Sequence, residues 1–139
     1  LATGARWSEV QGLTSAQVSK YRLTFTQTKS KRNRSVPISP ELYELIPKHG
    51  IYEGRLFPPC YDAFEYAAQK SGVALPEGQL SHVLRHTFAS HFMMNGGNIL
   101  VLQRILGHST ITMTMRYAHF APEHLDDAVR LNPLASPHS

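Results

Sequence analysis

The chain has 139 residues and a mass of 15.6 kDa, enough for one hydrophobic core and too little for two. Apolar residues at 42% and charged residues at 17% exclude a disordered tail, the longest aliphatic run (Ile99-Leu100-Val101-Leu102) excludes a membrane span, and the lone Cys60 excludes an internal disulfide or a cysteine-rich zinc site. A formal charge of +4 and a sequence pI near 9.4 point to a polyanionic partner, in a soluble, cytoplasmic setting with no membrane contact.

Residues 6–11 favour a short helix stopped by Gly12. Tyr21, Leu23, Phe25 and Gln27 alternate with Arg22, Thr24, Thr26 and Thr28, the period of a strand with one buried face. Residues 35–38 form a second strand, which Pro37 places at a sheet edge, and the polar residues 29–34 form the turn between them. Ser39-Pro40-Glu41 supplies an N-cap, a first-turn proline and an acidic residue for a helix through Leu42, Leu45 and Ile46. Residues 61–69 and 81–94 follow as helices ended by Gly72 and by Gly96-Gly97; Asn98 caps another that ends at Gly107. Residues 110–117 alternate Thr, Ile, Thr, Met, Thr, Met, Arg, Tyr, by period alone a strand, whereas Ser109 offers the N-cap of a helix. Ala121-Pro122-Glu123 opens a last helix through Leu125, Ala128 and Val129, and residues 132–139 form a flexible tail. The sum is a mainly α domain with a small antiparallel β-sheet between about residues 14 and 38.

Charge is unevenly spread. Residues 10–40 lack Asp and Glu but carry Lys20, Arg22, Lys29, Lys31, Arg32 and Arg34. Residues 78–122 again lack a carboxylate, yet hold Arg85, Arg104, Arg116 and the histidines His82, His86, His91, His108 and His119. A solvated basic face on a helical core and a phosphate-binding surface both fit this distribution. The sharpest local feature is His82-Val83-Leu84-Arg85-His86, whose spacing aims His82, Arg85 and His86 from one helix face. A guanidinium beside the two imidazoles repels a metal ion, and no carboxylate supports them, so no metal and no cofactor is expected. Arginine instead presents a fork that matches two phosphate oxygens, with histidine able to donate a hydrogen bond or move a proton.

Thr3-Gly4-Ala5-Arg6-Trp7-Ser8-Glu9, His82-x-x-Arg85-His86-Thr87-Phe88-Ala89, Leu106-Gly107-His108 and Tyr117, in that order, resemble the signature boxes of the tyrosine recombinases, or phage integrases. Within that family the segments look most like integrases of temperate Haemophilus and enterobacterial phages. The resemblance spans nearly the whole chain and implies the DNA breaking-rejoining fold, with residues 1–131 as a catalytic domain. Because the chain begins at Leu1, five residues before Arg6, the N-terminal part of that domain and the domains before it are expected to be missing.

The resemblance implies that Arg6 and Arg85 hold the scissile phosphate and that Tyr117 is the nucleophile forming a 3′-phosphotyrosine. Lys29 is implied as general acid, with Lys31 as its nearest rival; His82 assists proton transfer with Tyr117, and His108 donates to the phosphate. In the family the nucleophile lies on or beside a helix, so residues 110–117 are expected to be helical. Glu9 supports Arg6, either as an intrahelical ion pair or as its orienting partner. His86 and His91 are expected to be structural, hydrogen-bonded within the helical core. Lys31, Arg32, Arg34 and Arg116 are expected on the DNA backbone. The implied function is site-specific recombination that integrates or excises phage DNA. The implied partners are double-stranded attachment sites, further copies in a tetramer that exchange C-terminal tails, and an accessory DNA-bending protein. A type IB topoisomerase-like enzyme and a non-cutting DNA-binding fragment are the alternatives.

Overall fold

The computed structural model describes residues 1–26, 32–76 and 78–136. Helix α1 (Trp7–Gln11) starts at Arg6, whose extended backbone makes it the N-cap, and ends at Gly12. A 3-10 turn (Ser15–Gln17) then leads into a three-stranded antiparallel sheet of β1 (Val18–Ser19), β2 (Arg22–Phe25) and β3 (Arg34–Pro37), in that order. The short β1 lacks enough alternating residues to be visible by period. Leu23 and Phe25 of β2 and Val36 of β3 point to one buried face, with Leu23 opposite Val36 and Phe25 opposite Arg34. Pro37 lies on an edge strand, where the N–H it lacks is not needed.

Helix α2 (Pro40–Leu45) is capped by Ser39, whose Oγ accepts from Leu42 N–H at 3.1 Å. Helix α3 (Tyr61–Lys70) supplies Phe64 and Tyr61, whose rings stack on and butt against Trp7 at 4.9 and 5.4 Å, pinning α1 just after Arg6. Helices α4 (Leu80–Met94) and α5 (Ile99–Leu106) form a hairpin, with Asn98 Oδ1 accepting from Leu100 and Val101 N–H. Residues 111–115 are helical (α6, Ile111–Met115), and a 3-10 turn (Ala118–Phe120) follows Tyr117. The period of two before Tyr117 is thus overridden: Thr114 is fully buried, while Met113 and Met115 on either side are exposed. The N-cap position of α6 is Thr110 rather than Ser109, and Ser109 Oγ turns to Met113 Sδ at 3.7 Å. The last helix also starts later than expected, as α7 (Asp127–Arg130). Leu125, 83% exposed, and Val129 find no surface among the described residues against which a longer helix could bury them.

Two apolar clusters emerge among the described residues. Leu13, Leu23, Phe25, Val36, Ile38, Ile46 and Leu56 gather around the sheet, and Ala89, Met93, Leu102, Leu106 and Tyr117 gather between α4, α5 and the segment after α6. Helix α5 packs against both β3 and α6, so it bridges the two. No described helix is long and apolar enough to cross a membrane. Leu102, fully buried in the second cluster, sets its packing; Leu102→Ala is expected to lower the unfolding free energy by about 3 kcal/mol, read by urea titration.

Candidate active site

Arg85, 4% exposed on α4, reaches into the seam between the clusters. Its Nη1 donates to the Gly4 carbonyl at 2.8 Å and its Nη2 to the Leu106 carbonyl at 2.6 Å. Gly4 has a φ of +65°, and a Cβ there would stand 2.5 Å from the Phe88 ring, so glycine is required for the chain to come this close. Burial, then the positive charges of Arg6 and Arg34, push the Arg85 guanidinium down to about 10, which leaves it charged at neutral pH. Its partners are neutral carbonyls, so that charge is not cancelled.

The exposed side of Arg85 lines an open cleft of about 460 Å3 together with Arg6, His82, His86, His108, Arg116 and Tyr117, with Gln79, Thr112 and Met113 at its edge. Sequence-distant residues named from the motifs therefore converge: Arg6 from the start of α1, His82 and Arg85 from α4, His108 from the turn after α5, and Tyr117 after α6. Arg116 also borders this cleft, its guanidinium 5.6 Å from the centre of the Tyr117 ring. Arg32 is exposed in an adjoining cleft of about 510 Å3 lined also by Arg22, Arg104 and His108. Lys29 and Lys31 lie outside the described residues.

His108 is delivered by Gly107, which ends α5 in the left-handed region at φ +73°. Its Nδ1 is 2.7 Å from the fully buried Thr114 Oγ1. Burial and the nearby arginines, Arg85 first, push this imidazole down to about 4, so it is neutral at pH 7. In the tautomer whose Nδ1 accepts from the Thr114 hydroxyl, the ring proton sits on Nε2, available to an oxygen in the cleft. Thr114 escaped the sequence reading because no helical period links positions on either side of a turn.

Four sequence expectations are corrected. Glu9 supports Arg6 through the backbone, accepting Arg6 N–H at 2.8 Å, while its ion pair is with Arg34. Arg34, expected on DNA, is committed inside the protein: its Nη1 and Nη2 bond the Glu9 carboxylate, Nε donates to the Ile105 carbonyl at 2.9 Å, and the group lies 4.8 Å over the Phe25 ring. The Tyr117 hydroxyl is hydrogen-bonded to Nδ1 of His86, one turn along α4 from His82, so His86 belongs to the site rather than to the core. His91, also expected in the core, is exposed. Among the described residues no three His, Cys, Asp or Glu side chains are grouped to hold a metal ion.

Burial alone would raise the Glu9 carboxyl, but hydrogen bonds from Arg34 and Arg6 N–H, with the fields of Arg34 and Arg85, hold it below its ordinary 4.5. Glu9 therefore stabilises the fold above that pH and loses its contribution as pH falls through the lowered value. His108, at about 4 against 6.5 when unfolded, takes up its proton on unfolding between those values, so stability also declines as pH drops from 6.5 toward 4. Urea midpoints from pH 7 to pH 4 are expected to fall less steeply in His108→Asn than in wild type. Glu9→Gln, which strands the Arg34 charge, is expected to lose about 3 kcal/mol at pH 7.

Comparison with known proteins gives a consistent match. Residues 59–124 match the model of the phage integrase family. The chain is 66% identical over 134 residues to the integrase of Escherichia phage 186, covering 96% of this chain and 39% of that one; it thus spans about two fifths of the length of such curated relatives. The solved catalytic domain of bacteriophage HP1 integrase superposes with a TM-score of 0.91 at 64% identity, covering 99% of this chain and 80% of that one. The Tn1549 transposon integrase, solved in complex with a circular intermediate DNA, superposes with a TM-score of 0.70 at 26% identity over 91% of this chain and 53% of that one. With its helix-rich fold, small antiparallel sheet and 64% identity across most of a solved integrase catalytic domain, the chain belongs to the phage integrase family of tyrosine recombinases.

Proposed function

We propose that this chain is the catalytic part of a site-specific recombinase that cuts and rejoins duplex DNA to integrate or excise a phage genome. The observation that carries this reading is the Tyr117 hydroxyl held at a cleft where Arg6 and Arg85 meet. Phosphoryl transfer asks a protein chiefly for positioning and for charge on the phosphate oxygens. Arg85, anchored by carbonyls, and Arg6, at the mouth of α1, supply that charge to the non-bridging oxygens, and neutral His108 adds a donor through Nε2. Tyr117 Oη attacks phosphorus in line, the bond to O5′ breaks, and a 3′-phosphotyrosine retains the bond energy for rejoining. His82 borders the same cleft and remains a candidate for proton transfer, as Lys29 does for protonating the 5′-oxygen. Exposed Arg22, Arg32 and Arg104 extend the positive surface along the duplex.

The working form on this reading is a tetramer on two attachment sites in the bacterial cytoplasm, aided by a DNA-bending protein. The segment after Phe120 exposes Leu125, Val129 and Leu131, apolar side chains suited to a neighbouring copy. The test is a denaturing gel of the chain with labelled, nicked duplex in chelator. Wild type is expected to give a slower covalent band, Tyr117→Phe none, and Arg6→Gln or Arg85→Gln a rate lower by roughly 10²-fold or more. Tyr117→Phe is expected to keep DNA binding whose affinity falls steeply with salt. A covalent band that persists in Tyr117→Phe would overturn the reading.

A further inference from the structure

Tyr117 is 5% exposed as a residue, and burial raises the pKa of its phenol against the pull of Arg116, Arg85 and Arg6, so it rests as a neutral hydroxyl. A nucleophile in that state must lose a proton as it attacks, and among the described residues its hydroxyl has one side chain in hydrogen-bond contact, His86. The groups around His86 are cationic or neutral: His82 and Arg85 on its own helix, Arg116 and Tyr117 from the segment after α6, and Arg6 and His108 across the cleft, with no carboxylate among the cleft-lining residues. Burial first, then Arg116, His82 and Arg85, lower the His86 pKa below its ordinary 6.5, which keeps the imidazole neutral and one ring nitrogen free to accept.

We propose that His86 is the general base of strand cleavage, its Nδ1 taking the Tyr117 hydroxyl proton as Oη attacks phosphorus; this rests on Tyr117 being the nucleophile. In the step the O–H bond of Tyr117 breaks, the Oη–P bond forms, and the P–O5′ bond breaks. The departing 5′-oxygen takes its proton from a separate acid or from water, so His86 is left as imidazolium beside a neutralised phosphate. Rejoining runs in reverse: the 5′-hydroxyl attacks, Oη leaves, and His86 returns the proton to it. His82, an i−4 neighbour with its ring centre 6.2 Å from that of His86, is one turn along the helix, and the ring bonded to the Tyr117 hydroxyl is that of His86.

The experiment has two arms. In the first, nitrogen-15 NMR of the chain assigns the His86 tautomer. A proton on Nε2 and a bare Nδ1 at neutral pH, with the Nδ1 resonance moved by Tyr117→Phe, supports the proposal; a proton on Nδ1 overturns it, because that nitrogen could then take nothing from Tyr117. This arm reads the same whether or not the chain cuts DNA. In the second, His86→Asn leaves an amide oxygen near the Nδ1 position that can accept a hydrogen bond but cannot hold a proton. Cleavage of nicked duplex is compared with an ordinary 5′-oxygen and with a bridging 5′-sulfur, which leaves without an acid. Expected is a loss of about 10²-fold or more on both substrates, with thermal unfolding and DNA affinity unchanged and the rising limb of the wild-type pH profile abolished. Wild-type rates in His86→Asn mean that the contact only positions Tyr117, and rescue by sulfur means that His86 serves the leaving group; either overturns the proposal. Failure of wild type to form any covalent band would count against the recombinase reading, and the NMR arm would still decide the His86 tautomer.

Discussion

The last carbonyls of α5 have no partners within the helix, and two arginines from distant parts of the chain fill them. Arg34 Nε takes Ile105 and Arg85 Nη2 takes Leu106, placing two cations at the end of a helix where the peptide dipoles concentrate negative charge. From this junction the rest of the site is hung. Arg85 reaches on to Gly4 and fixes the segment that leads into Arg6; Arg34 reaches on to Glu9, which holds Arg6 by its N–H; and Gly107, next in the chain, turns His108 into the cleft. A Cβ on Gly107 would meet the Arg34 side chain at 2.9 Å, so even this turn is shaped by the arginine beneath it.

The two arginines differ in what they leave over. Arg34 is paired with a carboxylate and its charge is spent inside the protein, as a strut. Arg85 is paired with carbonyls, which orient the guanidinium without neutralising it, so a full positive charge faces the cleft. A buried cation without a carboxylate is costly unless every donor aimed inward is satisfied, and among the described residues no buried side-chain nitrogen or oxygen lacks a hydrogen-bond partner. The absence of Asp and Glu from residues 78–122 has the same meaning at the level of the sequence: a carboxylate beside Arg85 would compete with a phosphate for it. Burial, together with the field that results, also keeps His108 and His86 neutral rather than charged.

Much of this was legible from local pattern. The spacing of His82, Arg85 and His86 put them on one helix face, Asn98 and Gly107 bounded α5, and Pro37 marked an edge strand, because each depends on backbone geometry within a few residues. The alternation before Tyr117 ran against the helix expected there for the opposite reason: a helix of a single turn and a half is too short for its period to show, and packing of Thr114 against the core decides it. The last helix is short because its apolar face has nothing to cover among the described residues.

The sequence by itself determined which chemical groups are present and which of them share an element: three arginines, five histidines and one tyrosine in a stretch without carboxylates, among boxes whose order marks the family. Only the tertiary structure decided the pairings. Glu9 chose Arg34, 25 residues away, over its helical neighbour Arg6, and Tyr117 chose His86, 31 residues away, over His82. A local period fixes the face on which a side chain lies. Its partner is fixed by which remote element packs against that face, and a shift of one helical turn along the axis exchanges one histidine for the next.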